Sequence, residues 1–196
     1  MSSVFTSVPV TCARCGKESG FKAYRHIDVV AEPGLKAKVL NGELFVFTCP
    51  FCGYKSLNTS PVIYRDEHLL ACLSDREIEV EGLDEGIAGR LVSDVGSLVE
   101  KVKIFDAGLD DVAMELCKFV TRQEMGKDAD LKFLRVDGAD NDIIFTYPEN
   151  GQMQMLSVGF NMYEDCRAII GRNPAMTAGL KGLVKVDREW VEQFLQ

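Results

Sequence analysis

Two Cys-x-x-Cys-Gly stretches constrain this chain more than any other feature: TCARCGK at residues 11–17 and FTCPFCGYK at 47–55. A redox dithiol works as a single pair, one thiolate activated at a helix N-terminus and its partner resolving the mixed disulfide. Two such pairs, each followed at once by glycine, match the two corners of a tetrahedral four-cysteine metal site. The expected ligands are Cys12, Cys15, Cys49 and Cys52, and the expected ion is Zn2+ in a structural role, because four thiolates leave no coordination position open. The competing reading is four reduced thiols packed as small hydrophobes, or a redox pair. Gly16 and Gly53 suit a tight turn around the metal, since glycine alone tolerates positive φ freely. The 33 residues between Cys15 and Cys49 exceed the ~15–20 of a compact four-cysteine finger. A strand–helix–strand insertion accounts for the excess.

Such an insertion is legible. FKAYRHIDVV predicts a strand. EPGLKAKVLNG predicts a short helix, with Pro33 in its first turn and Gly42 at its stop. ELFVFT predicts a strand that runs into Cys49, and YKSLNTSPVIY a second strand, with Pro61 at an edge or an end. From 93 to 126 the pattern is helical and broken by DAGLDD. Ser97 to Glu100 read as a capping box, Leu98, Val102 and Phe105 as one apolar face, and Val112, Leu116, Phe119 and Val120 as a second. Residues 130–162 predict a β-meander with a hairpin turn at Asn150-Gly151. Residues 171–182 suggest no element, and VDREWVEQFL predicts a last helix capped by Asp187, with Trp190, Val191 and Phe194 packed inward. The expected fold is α+β: a zinc-ribbon-like antiparallel β module over 1–80, a helical pair over 81–126, and a β-meander with a terminal helix over 127–196.

With these elements in view, TCARCGK, LNGELFVFTCPFCGY and PVIYRD resemble the CpXC family, a bacterial and archaeal domain family named for its CPxC motif and without an established activity. EKVKIFDAGLDDVAMELCK at 100–118 is similar to that family's helical part, so the likeness runs from residue 9 to about 126. Cys49-Pro50-Phe51-Cys52 fits the motif. Cys12-Ala13-Arg14-Cys15 has alanine in the proline position, which bears on stiffness and not on ligation. The resemblance implies a zinc-ribbon-like module and supplies no reaction.

Charge bears on partners. The net charge is -8, yet residues 1–80 hold nine Lys/Arg against nine Asp/Glu, so the whole excess lies beyond them. An acidic surface repels phosphate backbones. A nucleic-acid-binding ribbon using Lys22, Arg25, Lys36 and Lys38 is therefore the disfavoured alternative, and the expected partner is another protein. MSSVFTSVPV carries no basic residue and does not read as a secretory signal. No apolar run reaches membrane-span length. Both point to a reducing cytoplasm, where paired cysteines serve metal or redox chemistry.

Other candidates weigh less. Asp106, Asp110, Asp111 and Glu115 form an acidic cluster that suits a Mg2+ site or a contact for a basic partner, and a hydrolase-type enzyme using it is the less favoured alternative. The simpler reading is that acids favour a helix N-terminus. His68 sits among acids in YRDEHLL and His26 is the only other histidine; both read as surface or packed residues. Cys72, Cys117 and Cys166 read as core. The function expected is that of a zinc-stabilised, non-catalytic binding or adaptor protein.

Overall fold

The computed structural model describes residues 2–74, 83–138 and 141–195. The protein is α+β, with an N-terminal sheet, a helical pair, and a C-terminal meander with a terminal helix. Two compact units divide the chain at Val99 and Glu100.

The first unit is built on a five-stranded sheet of order β1-β2-β5-β6-β7, comprising Val4–Thr11, Glu18–Asp28, Val62–Arg65, Leu69–Leu73 and Ala88–Val92. β1/β2 and β5/β6 are antiparallel pairs, whereas β2/β5 and β6/β7 run parallel. β1 is one edge. A separate two-stranded hairpin joins β3 (Val46–Thr48) to β4 (Lys55–Leu57). The run ELFVFT begins as a 3-10 turn over Glu43–Phe45, which leaves only three residues to β3. The run YKSLNTSPVIY is two strands rather than one. Asn58 breaks it, its side-chain oxygen accepting from both the N–H and the hydroxyl of Ser60. Helix α1 (Gly34–Leu40) follows Pro33, and the chain leaves it through Gly42 at φ 76°. Ile27, Tyr64, Leu69, Ala71 and Cys72 are fully buried in this unit.

Helix α2 (Val95–Asp106) starts two residues before Ser97. Its cap is Asp94, whose carboxylate accepts from the Ser97 N–H at 2.8 Å and the Ser97 hydroxyl at 2.6 Å. Ser97 therefore lies inside the helix, and the capping-box pattern locates the right turn with the wrong residue. Helix α3 (Asp111–Met125) ends at Gly126, left-handed at φ 61°.

The second unit packs α3 and α4 (Phe160–Arg172) on a meander of order β10-β9-β8, comprising Gln152–Gly159, Asp142–Glu149 and Lys132–Asp137. The β9–β10 turn holds Asn150 at φ 51° and Gly151 at φ 74°, both left-handed as a two-residue hairpin turn of the primed type demands. Leu131, Ile143, Phe145, Met114 and Val112 close its core. Two short helices follow, α5 (Ala175–Ala178) and α6 (Arg188–Glu192). The Asp187 cap on α6 is present, accepting from the Trp190 N–H at 3.1 Å. Val191 points inward, but Phe194 is 36% exposed and instead meets the Trp190 ring.

Candidate metal centre

The two cysteine pairs are the turns of two hairpins. β1 and β2 end on the pair Thr11–Glu18, and the chain between them is Cys12 to Lys17. β3 and β4 end on Thr48–Lys55, and the chain between them is Cys49 to Tyr54. The two turns are the same turn. In the first, the Cys12 N–H donates to the Lys17 carbonyl and the Gly16 N–H to the Cys12 carbonyl, each at 2.9 Å. In the second, the Cys49 N–H donates to the Tyr54 carbonyl at 2.8 Å and the Gly53 N–H to the Cys49 carbonyl at 2.9 Å. Gly16 and Gly53 both lie at φ 69°. A Cβ on either would meet nothing within 4 Å, so the backbone angle alone demands glycine there.

The hairpins meet through an apolar seam. Phe21 of β2 stands edge-on to Phe47 of β3 with ring centres 6.1 Å apart, and Val10 packs beside them. That contact faces the turns toward each other. Cys12 Sγ lies 3.6 Å from Cys52 Sγ, and Cys15 Sγ lies 3.7 Å from Cys49 Sγ. All four sulfurs fall within 4.8 Å of one another. A regular tetrahedron of sulfurs around zinc, at about 2.3 Å per bond, has edges of about 3.8 Å. The donor set therefore fits a tetrahedral ion in both chemistry and spacing.

The electrostatics ask for a cation. Burial opposes ionisation of Cys12, but the N–H groups of Cys15 and Arg14, with the neighbouring thiols, outweigh it and bring Cys12 down to about 6. At Cys52 the Tyr54 N–H favours the thiolate, yet burial and the thiols of Cys12, Cys15 and Cys49 push it up to about 12. The first thiolate forms readily and the last does not, because each new negative charge faces the others at hydrogen-bond range. A divalent cation at the centre would offset those charges and favour the thiolate form of all four cysteines.

A family model described as CpXC protein matches residues 10–118. The chain belongs to the CpXC family. The match spans both cysteine pairs, α2 and the first half of α3. No curated protein and no solved structure matches the chain. The CpXC family brings no activity with it, and the remaining candidates must be judged on geometry.

Two members of the acidic cluster, Asp111 and Glu115, converge on the buried Lys101 Nζ, the latter at 3.6 Å. Asp110 caps α3, accepting from the N–H groups of Val112 and Ala113 at 2.8 and 3.0 Å. Asp111 takes Lys101 Nζ at 2.7 Å, and Glu115 takes Lys118 Nζ at 2.8 Å. Asp106 instead borders a cleft of about 470 Å3 lined by Lys103, Leu109, Phe133, Arg135 and Phe160. His68 is exposed and His26 half-buried. Cys72, Cys117 and Cys166 are buried, as core packing predicts. Sequence reasoning misses Glu100, Lys101 and Lys118, which are as buried as the apolar residues around them. Glu100 accepts from Lys118 Nζ at 3.0 Å and from the Phe133 N–H at 2.7 Å. In α2 the only signal is two adjacent charges between the apolar positions Leu98 and Val102, a pattern that also describes an ordinary helix surface.

Proposed function

We propose that Cys12, Cys15, Cys49 and Cys52 hold a structural zinc ion, and that the protein is a non-catalytic binding or adaptor module whose N-terminal unit is folded by that metal. The observation that carries this reading is the matched pair of turns, which directs four sulfurs at one point with spacing near that of a zinc tetrathiolate. Bound there, zinc would link two hairpins, one of them with strands of only three residues. It would stabilise and not catalyse, because no ligand position remains for water or substrate. Of the two turns, only the second carries the stiffening proline, Pro50. The expected partner is another protein.

Elemental analysis of protein purified without added metal tests the first half: one zinc per chain supports it, and metal-free folded protein sinks it. The second half is tested by affinity capture with intact and Cys49→Ser bait. A partner retained only by the intact bait is the expected result. Turnover of a substrate that survives Cys49→Ser would point to an enzyme instead.

A further inference from the structure

The sheet edge next to the metal-fitting turns carries a surface that neither fold stability nor metal binding uses. One side of the β1–β2 hairpin is committed, since Val10 and Phe21 pack toward Phe47 and the cysteines. The other presents rings and cations. Phe5 and Tyr24 stand opposite each other in the strand register, ring centres 5.8 Å apart, and Phe5 is 54% exposed. Lys22 Nζ lies 3.9 Å from the Phe5 ring centre and 4.7 Å from that of Tyr24. The arrangement repeats at the turn, where Lys17 Nζ lies 4.8 Å from the Phe51 ring centre and Phe51 is again 54% exposed.

Whole-chain charge hides what this surface carries. Residues 2–26 contain Arg14, Lys17, Lys22 and Arg25 against Glu18 alone, a local balance of +3 in a chain of -8. Lys36 and Lys38, the helical members of the basic strip read from the sequence, are engaged elsewhere, with Asp66 and Glu43. The strand members, Lys22 and Arg25, have no carboxylate partner among the described residues. A zinc tetrathiolate would subtract two charges at the turn end. The uncompensated positive field then centres on Lys22, over the Phe5 and Tyr24 rings, with Arg25 next to Tyr24 along the strand.

We propose that this face binds single-stranded nucleic acid, with bases stacking on Phe5 and Tyr24 and phosphates held by Lys22 and Arg25. An exposed ring, Phe5, beside a half-buried one, Tyr24, on adjacent strands with a lysine over both gives a sequence-tolerant stacking platform, because every base offers a π-face. An acidic peptide would use the cations and leave the rings without a matching partner. A duplex has its bases already stacked and offers the rings nothing. The inference rests on the reading of this chain as a binding module and assigns one of the surfaces an adaptor would need.

The test is fluorescence anisotropy of labelled oligo(U) and oligo(dT) with the full-length, zinc-loaded protein, alongside duplex RNA and polyglutamate, over a series of salt concentrations. The expected result is binding of the single strands in preference to duplex and polyglutamate, with log K falling against log salt by about 0.7 per phosphate contact. Phe5→Ala should weaken binding on the order of tenfold, and Phe5→Leu, which keeps apolar bulk without the ring, should weaken it similarly. Lys22→Gln should flatten the salt slope by about 0.7. Lys181→Gln, an exposed cation of the second unit, should change nothing. Metal content and far-ultraviolet circular dichroism separate the outcomes. Folded, zinc-bearing protein that binds no single strand at about 50 mM salt, that prefers duplex or polyglutamate, or that binds unchanged after Phe5→Ala overturns this inference and leaves the metal reading intact. Protein without metal would instead remove the metal reading.

Discussion

Cys12 and Cys52 are forty residues apart in the chain, and their sulfurs are 3.6 Å apart in the fold. Nothing in either hairpin alone holds that distance. β3 and β4 have three residues each, and the buried seam between the hairpins is little more than Phe47 and two of the cysteines themselves. Free energy on the order of 10 kcal/mol from tetrathiolate zinc would dominate such a seam. Chelation is therefore expected to unfold the cysteine hairpins cooperatively, read as new protease cleavage between residues 9 and 64. The second unit has its own core, and Trp190, the single tryptophan, lies in it. Its fluorescence should stay unchanged in the same experiment. Unaltered proteolysis in a strong chelator would refute the stabilising role.

The twin glycines give a sharper test of the turn itself. At φ 69° an alanine costs about 1–2 kcal/mol for its Cβ against the following carbonyl. Because no neighbour lies within 4 Å of that Cβ, the cost contains no clash with a packed atom. Gly16→Ala and Gly53→Ala should thus lower stability by similar amounts, and the double variant should lose about their sum, measured by thermal melting at fixed zinc. Asn at either site, which tolerates the left-handed region better, should recover part of the loss. Widely different losses at the two sites would mean that the turns are not equivalent under load.

Helix caps offer a third comparison. Asp110 satisfies two N–H groups of α3, and Asp94 does similar work at α2 with the Ser97 N–H and hydroxyl. Asp110→Ala and Asp94→Ala are each expected to cost about 1 kcal/mol. Ser97→Ala, which removes a hydroxyl bonded to the cap, should cost less than Asp94→Ala in denaturant titrations. The reverse order would restore Ser97 as the cap.

What can be read in advance follows from how local each signal is. The metal-fitting cysteines, the α2–α3 break, the Gly126 stop and the Asn150-Gly151 turn are set by residues within a few positions of each other, so spacing alone identifies them. The uncharged strand Val4–Thr11 is invisible because what makes it a strand is its partner, Glu18–Asp28, and the turn between them. Leu69–Leu73 and Ala88–Val92 are a parallel pair joined across a long connection, and no local pattern announces such pairing. Helix α4 is different. Tyr163, Cys166 and Ile170 fall on one face at helical spacing, but the preceding strand pattern of β10 flows into it without a cap residue, since Gly159 makes no side-chain bond. The buried charges escape notice for the opposite reason: apart from the Glu115–Lys118 pair within α3, their partners lie 10 to 33 residues away, and an isolated Lys or Glu reads as surface.

Those charges carry the last prediction. Lys118 lies between Glu100 and Glu115 at 3.0 and 2.8 Å, and all three side chains are nearly inaccessible. Burial opposes the charge on Glu100, but Lys118 and Lys132, with the Phe133 N–H, outweigh it and hold Glu100 below the ordinary carboxylate range. Burial likewise opposes the charge on Lys118, and its two carboxylates raise it above the usual lysine value. The signs follow. A carboxylate depressed in the folded state contributes stability above its unfolded pKa, near 4.3, and loses it as pH falls through the lower folded value. A lysine raised in the folded state contributes stability below its unfolded pKa, near 10.4, and loses it only as pH climbs toward the folded value. The second unit should therefore be flat in stability across neutral pH and weaken below about pH 4. Lys118→Met leaves two buried carboxylates with one cation fewer, a loss of about 3–5 kcal/mol at pH 7. Its stability should then improve on mild acidification, where the wild type does not, because protonating Glu100 relieves a buried charge left with only the weaker support of Lys132 and the Phe133 N–H. Trp190 fluorescence against urea at pH 7 and pH 5 distinguishes the two. A Lys118→Met protein as stable as wild type at pH 7, or one that weakens from pH 7 to pH 5, would show that Lys118 does not hold Glu100 in its charged form.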